Sequence, residues 1–250
     1  MQYLGSKRRF ARDIFSAIIR DISGDLFSLT DNPVPKNWME PFVGVGGMMQ
    51  AVPSSFRRYG NDANHYLIAM HKAVQRGWVP PKEISEEKYT YIKKYKMEHP
   101  EELVGFVGHA CSYGGQWFRG YARDPHHHRN YALKGHNRLV SEAPRLQNVI
   151  FTHGCYTKMA IDADSIVYCD PPYRGTRNGY GDIPMDYERF YDWLSRLRKE
   201  GARVYLSEYS LPPALGTVIW EKAAHLSLNA RRGSGERTAV AVERLYRIEA

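Results

Sequence analysis

Cysteine is scarce in this sequence, with three residues among 250: Cys111, Cys155 and Cys169. They are widely spaced and none belongs to a Cys-x-x-Cys pair, so a disulfide framework is excluded. The run His126-His127-His128 has no partner at zinc-site spacing. We therefore expect no metal, and we interpret the histidine run as a polar loop.

Long apolar runs are absent as well, since none approaches the roughly 20 residues that a transmembrane helix needs. The first nine residues are basic and have no apolar core behind them, which is unlike a signal peptide. Together these absences predict a protein that stays in the cytoplasm and does not enter a membrane.

The charge balance is basic: 35 lysines and arginines against 27 acidic residues give a formal net charge of +8. A surplus of this sign suits a polyanionic partner, because each neutralised phosphate releases condensed counterions. The length allows one large domain, or a core domain with a smaller insert.

Strand-like and helix-like segments alternate along most of the chain. Apolar spacing predicts helices over residues 8–22, 65–75, 83–102, 137–146 and 187–200. Compact apolar runs predict strands over residues 38–43, 58–62, 148–151, 165–169 and 203–207, and a terminal hairpin over 225–228 and 240–247. The pattern predicts an α/β fold with a mostly parallel sheet, an antiparallel terminal hairpin and an insert over residues 80–145.

The motif Asp170-Pro171-Pro172-Tyr173 directly follows a predicted strand, at the sheet edge where α/β proteins bind ligands. The prolines fix φ and have no N–H group to donate. They therefore make a rigid turn whose carbonyl groups point outward as hydrogen-bond acceptors. An aspartate followed by such a carbonyl can accept both hydrogens of an amino group, and Tyr173 offers a ring face for a flipped base. The motif therefore indicates a planar amino group presented for transfer.

A glycine-rich turn, Glu40-Pro41-Phe42-Val43-Gly44-Val45-Gly46-Gly47, follows the first predicted strand. Glycines there let the backbone approach a ligand closely. Asp62, at the end of the next strand, is placed to hold ribose hydroxyls. Because neither Gly-x-Gly-x-x-Gly nor Gly-Lys-Ser/Thr occurs, the pattern indicates a nucleoside cofactor with an uncharged tail.

In this order, the motifs resemble those of the Dam-like family of adenine-N6 DNA methyltransferases. Tyr3-x-Gly5-x-Lys7 looks like its first cofactor motif, and the glycine turn looks like its main S-adenosylmethionine loop. Asn61-Asp62-x-Asn64 looks like the ribose-binding motif, and the loop beginning at Asp170 like the catalytic loop. Arg231-Arg232-Gly233 and Val242-Glu243-Arg244-Leu245 look like the closing hairpin.

The resemblance implies a Rossmann-like methyltransferase domain over residues 1–79 and 146–250, with a mainly helical target-recognition region over 80–145. The implied cofactor is S-adenosylmethionine, with S-adenosylhomocysteine as product. It would be bound by Tyr3, Gly5, Lys7, Glu40, Pro41, Phe42, Gly44, Gly46, Gly47, Asp62, Asn64 and Asp170. Asp170, Pro171, Pro172 and Tyr173 would hold the target adenine of double-stranded DNA.

The insert carries glycines, aromatics and arginines over residues 112–123. Arginine can contact guanine edges, and aromatics can fill the gap that a flipped base leaves. The predicted DNA contacts are Trp117, Arg119, Tyr121, Arg123, Arg129, Asn130 and Arg138. The alternative is a glycine-bearing loop whose aromatics pack against the core. The recognition pattern of GATC-specific members is not found.

Three other functions are weighed against this one. Cytosine-N4 methylation is disfavoured by Asp170, because that catalytic loop more often begins with serine. Methylation of RNA or of a protein amide is disfavoured as well, because amide methylation usually goes with an asparagine at the first position. A catalytically silent DNA-binding protein is disfavoured by the intact Asp170, Tyr173, Asp62 and Lys7. We expect a free-standing enzyme of bacterial or bacteriophage type, and no obligate protein partner.

Overall fold

A seven-stranded sheet forms the centre of the fold. The computed structural model describes residues 6–26, 35–124, 129–174, 185–225 and 240–249. The strands are β1 (Asn37–Glu40), β2 (Arg57–Asp62), β3 (Val149–His153), β4 (Ser165–Cys169), β5 (Arg203–Glu208), β6 (Gly216–His225) and β7 (Val240–Ile248). Tyr3, Gly5, the histidine run and the Arg231-Arg232-Gly233 turn lie outside the described residues.

The strand order is β3-β2-β1-β4-β5-β7-β6. The first five of these pair in parallel, and β7 runs antiparallel to both β5 and β6. The order 3-2-1-4-5 is that of a doubly wound, Rossmann-like sheet, in which the chain reverses its direction of winding between β1 and β4. The predicted fold class is confirmed, including the antiparallel terminal hairpin.

Helices cover both faces of this sheet. They are α1 (Ala11–Leu26), α2 (His65–Gln75), α3 (Glu86–Lys94), α4 (Glu101–Ala110), α5 (Tyr131–Leu146) and α6 (Tyr187–Lys199). All five residues of β4 are buried, as expected for a parallel strand with helices on both sides. One core joins α1 to the sheet, and another joins α6 to the opposite face.

The insert packs on the sheet domain through a third core. Val45, Tyr66 and Met70 contribute to this core together with apolar residues of α3, α4 and α5. Gly105 explains the close approach of α4 to α2, because an added Cβ would lie 2.2 Å from the Tyr66 carbonyl oxygen. The last residue of α5, Leu146, belongs to the core that α1 forms with the sheet. The insert therefore shares its apolar interior with the sheet domain.

Several predicted boundaries in the insert were wrong. The single helix expected over residues 83–102 is α3, a short 3-10 turn (Lys96–Glu98) and the start of α4. The highly charged composition of this segment predicts a largely exposed helix, but Tyr89 and Ile92 are buried. Helix α5 begins six residues before the predicted position, where the Asn130 side chain accepts a hydrogen bond from Leu133 N at 2.9 Å.

The second strand of the terminal hairpin, β7, was predicted correctly. Its first strand, β6, begins earlier in the sequence than predicted. β6 runs from Gly216 to His225, whereas the prediction began at residue 225. Within the described ranges, no helix is long and apolar enough to cross a membrane. The same residues contain no group of histidine, cysteine or acidic side chains that could hold a metal ion.

Candidate active site

Four acidic side chains end the central parallel strands on one side of the sheet. Glu40 ends β1, Asp62 ends β2, Asp170 follows β4 and Glu208 ends β5. Parallel strands present their carboxyl ends at one edge, and ligands of such sheets bind where the winding reverses. Glu40, Asp62 and Asp170, which were predicted to bind the cofactor, therefore lie along the same edge of the sheet.

Asp170 forms an ion pair with Lys7. The Lys7 Nζ lies 2.7 Å from Asp170 Oδ1, and only 6% of the Lys7 side chain is exposed. Burial raises the pKa of Asp170 to about 6, even though the Lys7 ammonium acts in the opposite direction. Burial lowers the pKa of Lys7, but the charges of Asp170 and Glu243 outweigh it and leave that pKa raised. The first predicted cofactor motif and the predicted catalytic loop thus meet in a charge pair that is mostly buried.

Glu243, on β7, completes this cluster. It accepts a hydrogen bond from the Tyr173 hydroxyl, and its Oε1 lies 3.6 Å from Lys7 Nζ. Lys7 Nζ also lies 4.6 Å from the centre of the Tyr173 ring, a favourable cation–π geometry. Tyr209 packs edge-on against the same ring at 4.6 Å. Two carboxylates and one ammonium group therefore surround a fixed tyrosine ring.

The two proline carbonyls of the catalytic loop have different surroundings. Tyr187, in the first turn of α6, donates its hydroxyl hydrogen to the Pro172 carbonyl at 2.6 Å. No donor to the Pro171 carbonyl is found among the described residues. Glu208 accepts the backbone N–H of Arg174 at 3.1 Å, which fixes the end of the loop. Pro171 is therefore the carbonyl left to act beside Asp170.

The glycine turn is shaped by two side chains from neighbouring elements. Gly44 and Gly46 adopt φ values of 49° and 70°, a left-handed conformation that favours glycine. The Gly44 N–H donates to Asp62 Oδ2 at 2.9 Å, and the Gly44 carbonyl lies 2.8 Å from His71 Nε2. An added Cβ on Gly47 would lie 2.9 Å from Ser6 Oγ. The turn is thus in contact with the segment that carries Lys7.

Asp62 and Asn64 have separate tasks in this region. Asp62 also accepts the Asn64 N–H at 2.9 Å, and burial raises its pKa in spite of these hydrogen bonds. Each oxygen of a carboxylate can accept two hydrogen bonds, so Asp62 retains capacity for hydroxyl donors. The Asn64 side chain caps α2 by accepting the N–H groups of Tyr66 and Leu67. The structure therefore gives Asn64 a role in starting α2 directly after Asp62.

Glu40 lies deeper than the other acids and is 2% exposed. Burial raises its pKa to about 8, while a hydrogen bond from the Trp38 indole at 2.9 Å lowers it in part. The Pro41 carbonyl accepts a hydrogen bond from Asn61 at 3.2 Å. Phe42 packs against Tyr156 at a centroid distance of 5.3 Å. These contacts hold the first three residues of the glycine turn in place.

The aromatic residues predicted to contact DNA are partly used by the fold. The Trp117 ring stacks on Tyr66 at 5.6 Å and packs beside His109 at 4.9 Å. The Tyr121 hydroxyl donates to the Ile84 carbonyl at 2.7 Å. Both rings are half-buried, which agrees with the alternative of aromatics packed against the core.

The polar residues predicted to contact DNA are distributed along the insert. Arg123 pairs with Glu86, Arg129 pairs with Asp124 at 3.2 Å, and Asn130 caps α5. Arg138 pairs with the buried Glu142 at 2.7 Å, and Arg8 approaches the same carboxylate at 3.2 Å. Arg119 is exposed, and no ion pair involves it in the described ranges. DNA contact stays a prediction for all of these residues.

Four contributors to the site were not singled out from the sequence: Glu243, Glu208, Tyr187 and His71. Glu208 lies one residue beyond the predicted end of its strand, so extending that strand to its carboxyl end would have found it. Glu243 had been noticed only as part of the closing hairpin. Tyr187 and His71 carry no local signal, because their partners are backbone carbonyls distant in sequence.

Comparison with known proteins finds only distant similarity, and it finds it among solved structures. No protein-family model and no curated protein matches the chain. The rRNA methyltransferase aviRa from Streptomyces viridochromogenes is 13% identical, with a TM-score of 0.41, over 96% of this chain and 84% of that chain. SMU.472, a proposed methyltransferase complexed with SAH, is 10% identical, with a TM-score of 0.31, over 92% of this chain and 52% of that chain. Likeness at this level carries no argument about function.

Proposed function

We propose that this chain is an S-adenosylmethionine-dependent methyltransferase that methylates the N6 amino group of adenine in double-stranded DNA, acting in the cytoplasm. The observation that carries the proposal is the meeting of Lys7, Asp170 and Tyr173 at the carboxyl end of β4. An acid, an outward carbonyl and an aromatic face at one turn are what recognition of a flipped aminated base requires.

The cofactor pocket in this proposal is formed by the glycine turn and the strand-end acids. The left-handed Gly44 and Gly46 let the backbone approach a ligand, and Asp62 has capacity to accept ribose hydroxyls. Asp170 supplies negative charge next to the turn, whereas burial keeps Glu40 mostly protonated at neutral pH. These residues fit S-adenosylmethionine, which carries a cationic sulfonium and supplies the electrophilic methyl group when bound.

The protein's own part in the reaction is to position the amino group. Asp170 and the Pro171 carbonyl would each accept a hydrogen bond from the amino group. These two hydrogen bonds would draw the nitrogen lone pair out of conjugation with the ring. Tyr173 would stack on the base, and its hydroxyl is held by Glu243. Attack on a sulfonium methyl needs little acid or base assistance, so geometry should dominate the rate. The proton lost from nitrogen afterwards can leave to water.

The choice of DNA as the substrate is supported by charge. The chain carries a net charge of +8, and exposed arginines such as Arg119 and Arg129 lie in the insert. Phosphate contacts of this kind supply affinity without regard to sequence, so the site that is read stays open. We propose a free-standing enzyme of bacterial or bacteriophage type, with no metal and no obligate protein partner.

The test is transfer of a labelled methyl group from S-adenosylmethionine to unmethylated DNA, followed by mass spectrometry of the nucleosides. Wild type should produce N6-methyladenine, and Asp170→Ala should lower the rate by about a thousandfold or more, as the loss of a positioning and electrostatic group does. Asp164→Ala, an exposed aspartate next to the same strand, is the matched control and should keep wild-type activity.

Other outcomes of that experiment would select the alternatives. N4-methylcytosine in place of N6-methyladenine would make the protein a cytosine methyltransferase. Absence of transfer, together with absence of S-adenosylmethionine binding by calorimetry, would favour a silent DNA-binding protein. Equal incorporation by wild type and Asp170→Ala would remove Asp170 from the mechanism.

A further inference from the structure

We propose that Glu243 is a positioning residue for methyl transfer: it holds Lys7 and Tyr173 in place, and through them Asp170. This inference rests on the proposed function, which assigns the reaction to Asp170 and Tyr173. Glu243 belongs to β7, in the antiparallel part of the sheet, and lies outside the glycine turn, the ribose acid and the catalytic loop.

The first step of the argument is geometric. Glu243 is 6% exposed and makes two polar contacts from one carboxylate, to the Tyr173 hydroxyl and to Lys7 Nζ. A buried carboxylate without partners would cost several kcal/mol, so these contacts satisfy a group that β7 places inside the protein. The side chain thus connects the hairpin to both neighbours of Asp170.

The second step concerns orientation. The Tyr173 ring has the Lys7 ammonium at 4.6 Å, the Tyr209 ring edge-on and its own hydroxyl on Glu243. The hydrogen bond to Glu243 fixes the far end of the ring and so the direction of its long axis, and the edge-on Tyr209 ring limits rotation about that axis. A base that stacks on Tyr173 is therefore aligned by a residue that it does not touch.

The third step concerns charge. Charged and titratable groups from several elements face Asp170. The charged groups are Lys7 near the start of the chain, Glu243 on β7, Glu40 on β1 and Glu208 on β5, and the hydroxyl groups are those of Tyr168 and Tyr173. With Asp170 and Glu243 ionised, Lys7 balances one of the two carboxylates. If the charge of Glu243 were removed, Lys7 would pair with Asp170 alone. The ionised form of Asp170 would then be favoured.

The experiment compares Glu243→Gln with wild type in full-length protein. Glutamine keeps an acceptor for the Tyr173 hydroxyl and removes the charge. We expect kcat for DNA methylation to fall about 10- to 100-fold, since small misplacements at a reacting centre have effects of that order. The dissociation constant for S-adenosylmethionine should change less than about threefold. Glu221→Gln, an exposed glutamate paired with Arg244 on the same hairpin, is the control and should match wild type.

A purely structural role would lower activity equally at every pH, so the pH profile is the second readout. In Glu243→Gln the acid limb of kcat/KM should move to lower pH, because a negative neighbour of Asp170 has been removed. An unchanged limb, or wild-type kcat, would overturn the proposal.

A third readout does not need the enzyme to be active on DNA. The titration of Lys7 can be followed by NMR in protein with ¹³C-labelled lysine, with the signal assigned from Lys7→Met. Its midpoint should be lower in Glu243→Gln, because Glu243 helps to raise the Lys7 pKa. If wild type does not methylate DNA, the proposed function fails. A lowered Lys7 midpoint would still support the contact of Glu243 with Lys7, and an unchanged midpoint would refute it.

Discussion

The strand-end site and the insert use charged side chains in different ways. At the site, Lys7, Asp170 and Glu243 are drawn from distant parts of the sequence and lie together in a mostly buried cluster. In the insert, Arg123 and Arg129 are exposed and their acidic partners lie within the insert itself. Buried pairs of this kind tolerate little change, whereas exposed pairs contribute little to stability. The difference teaches that a substitution in the first region should disturb its neighbours, whereas one in the second should have only a local effect.

Removal of Lys7 should have the largest effect. Lys7→Met leaves Asp170 and Glu243 as neighbouring buried carboxylates, which should cost about 3–5 kcal/mol of unfolding free energy at neutral pH and abolish methylation. Chemical denaturation at several pH values measures this. The loss should shrink as the pH falls through the Asp170 pKa of about 6, because Asp170 is then protonated. A variant with wild-type stability at pH 8 would show that the cluster is not coupled in the way its geometry indicates.

A substitution in the insert tests whether that region stands apart from the sheet domain. Gly105→Ala places a Cβ 2.2 Å from the Tyr66 carbonyl, so α4 must move away from α2. We expect a loss of about 1–3 kcal/mol in global stability, as overpacking typically causes. Gly24→Ala in α1 is the control, because its Cβ would meet nothing within 4 Å. It should be neutral or slightly stabilising. A second, separate unfolding transition in Gly105→Ala would show that the insert folds independently.

The acid limb of the pH profile should report Asp170 directly. Because its pKa is about 6, kcat/KM should fall about tenfold for each pH unit below that value.

The contribution of Asp170 to the free energy of unfolding depends on pH in the opposite direction to its contribution to activity. Its folded pKa lies above its unfolded one, so that contribution is fully present below the unfolded pKa and is lost as the pH rises through 6. Asp170→Asn should remove this part of the stability profile, and its persistence in that variant would assign the titration to another group.

The smallest effect is expected for the exposed arginines. Arg119→Ala should weaken DNA binding several-fold and reduce the salt slope by about one, the change that loss of one phosphate contact produces. Arg123→Ala should do less, because Glu86 already pairs with that guanidinium. Binding isotherms at several salt concentrations separate the two. If Arg123 proved the stronger contributor, the ion pair with Glu86 would have to open on the DNA.

Most of the fold could be predicted because local pattern and tertiary structure agree. The helix at residues 65–75 and the strand at 165–169 match α2 and β4, since their apolar spacing is the spacing that the core uses. Helix α4 was missed because Gly105 and Gly108 argue against a helix locally. Both are required by packing instead, Gly105 against Tyr66 and Gly108 against Trp117.

Within the candidate site, the sequence singles out groups of consecutive residues, whereas it gives no signal for contacts with a distant partner. The loop from Asp170 to Tyr173 and the turn at Gly44 could be read directly, because their residue types are unusual in a row. Glu243 could not, since a glutamate in an alternating strand normally faces solvent. Its place in the site depends on β7, whose pairing with β5 ends at the neighbouring Arg244.

The contact of Lys7 with Asp170 and Glu243 also has a consequence for the order of folding. A contact between residues so far apart in sequence forms late, because the entropy of closing a long loop must be overcome first. Until β7 has paired with β5, Lys7 and Tyr173 lack their common acceptor. This geometry should therefore arise only at the end of folding, so under the proposed function a nascent chain that has bound cofactor would still be unable to modify DNA.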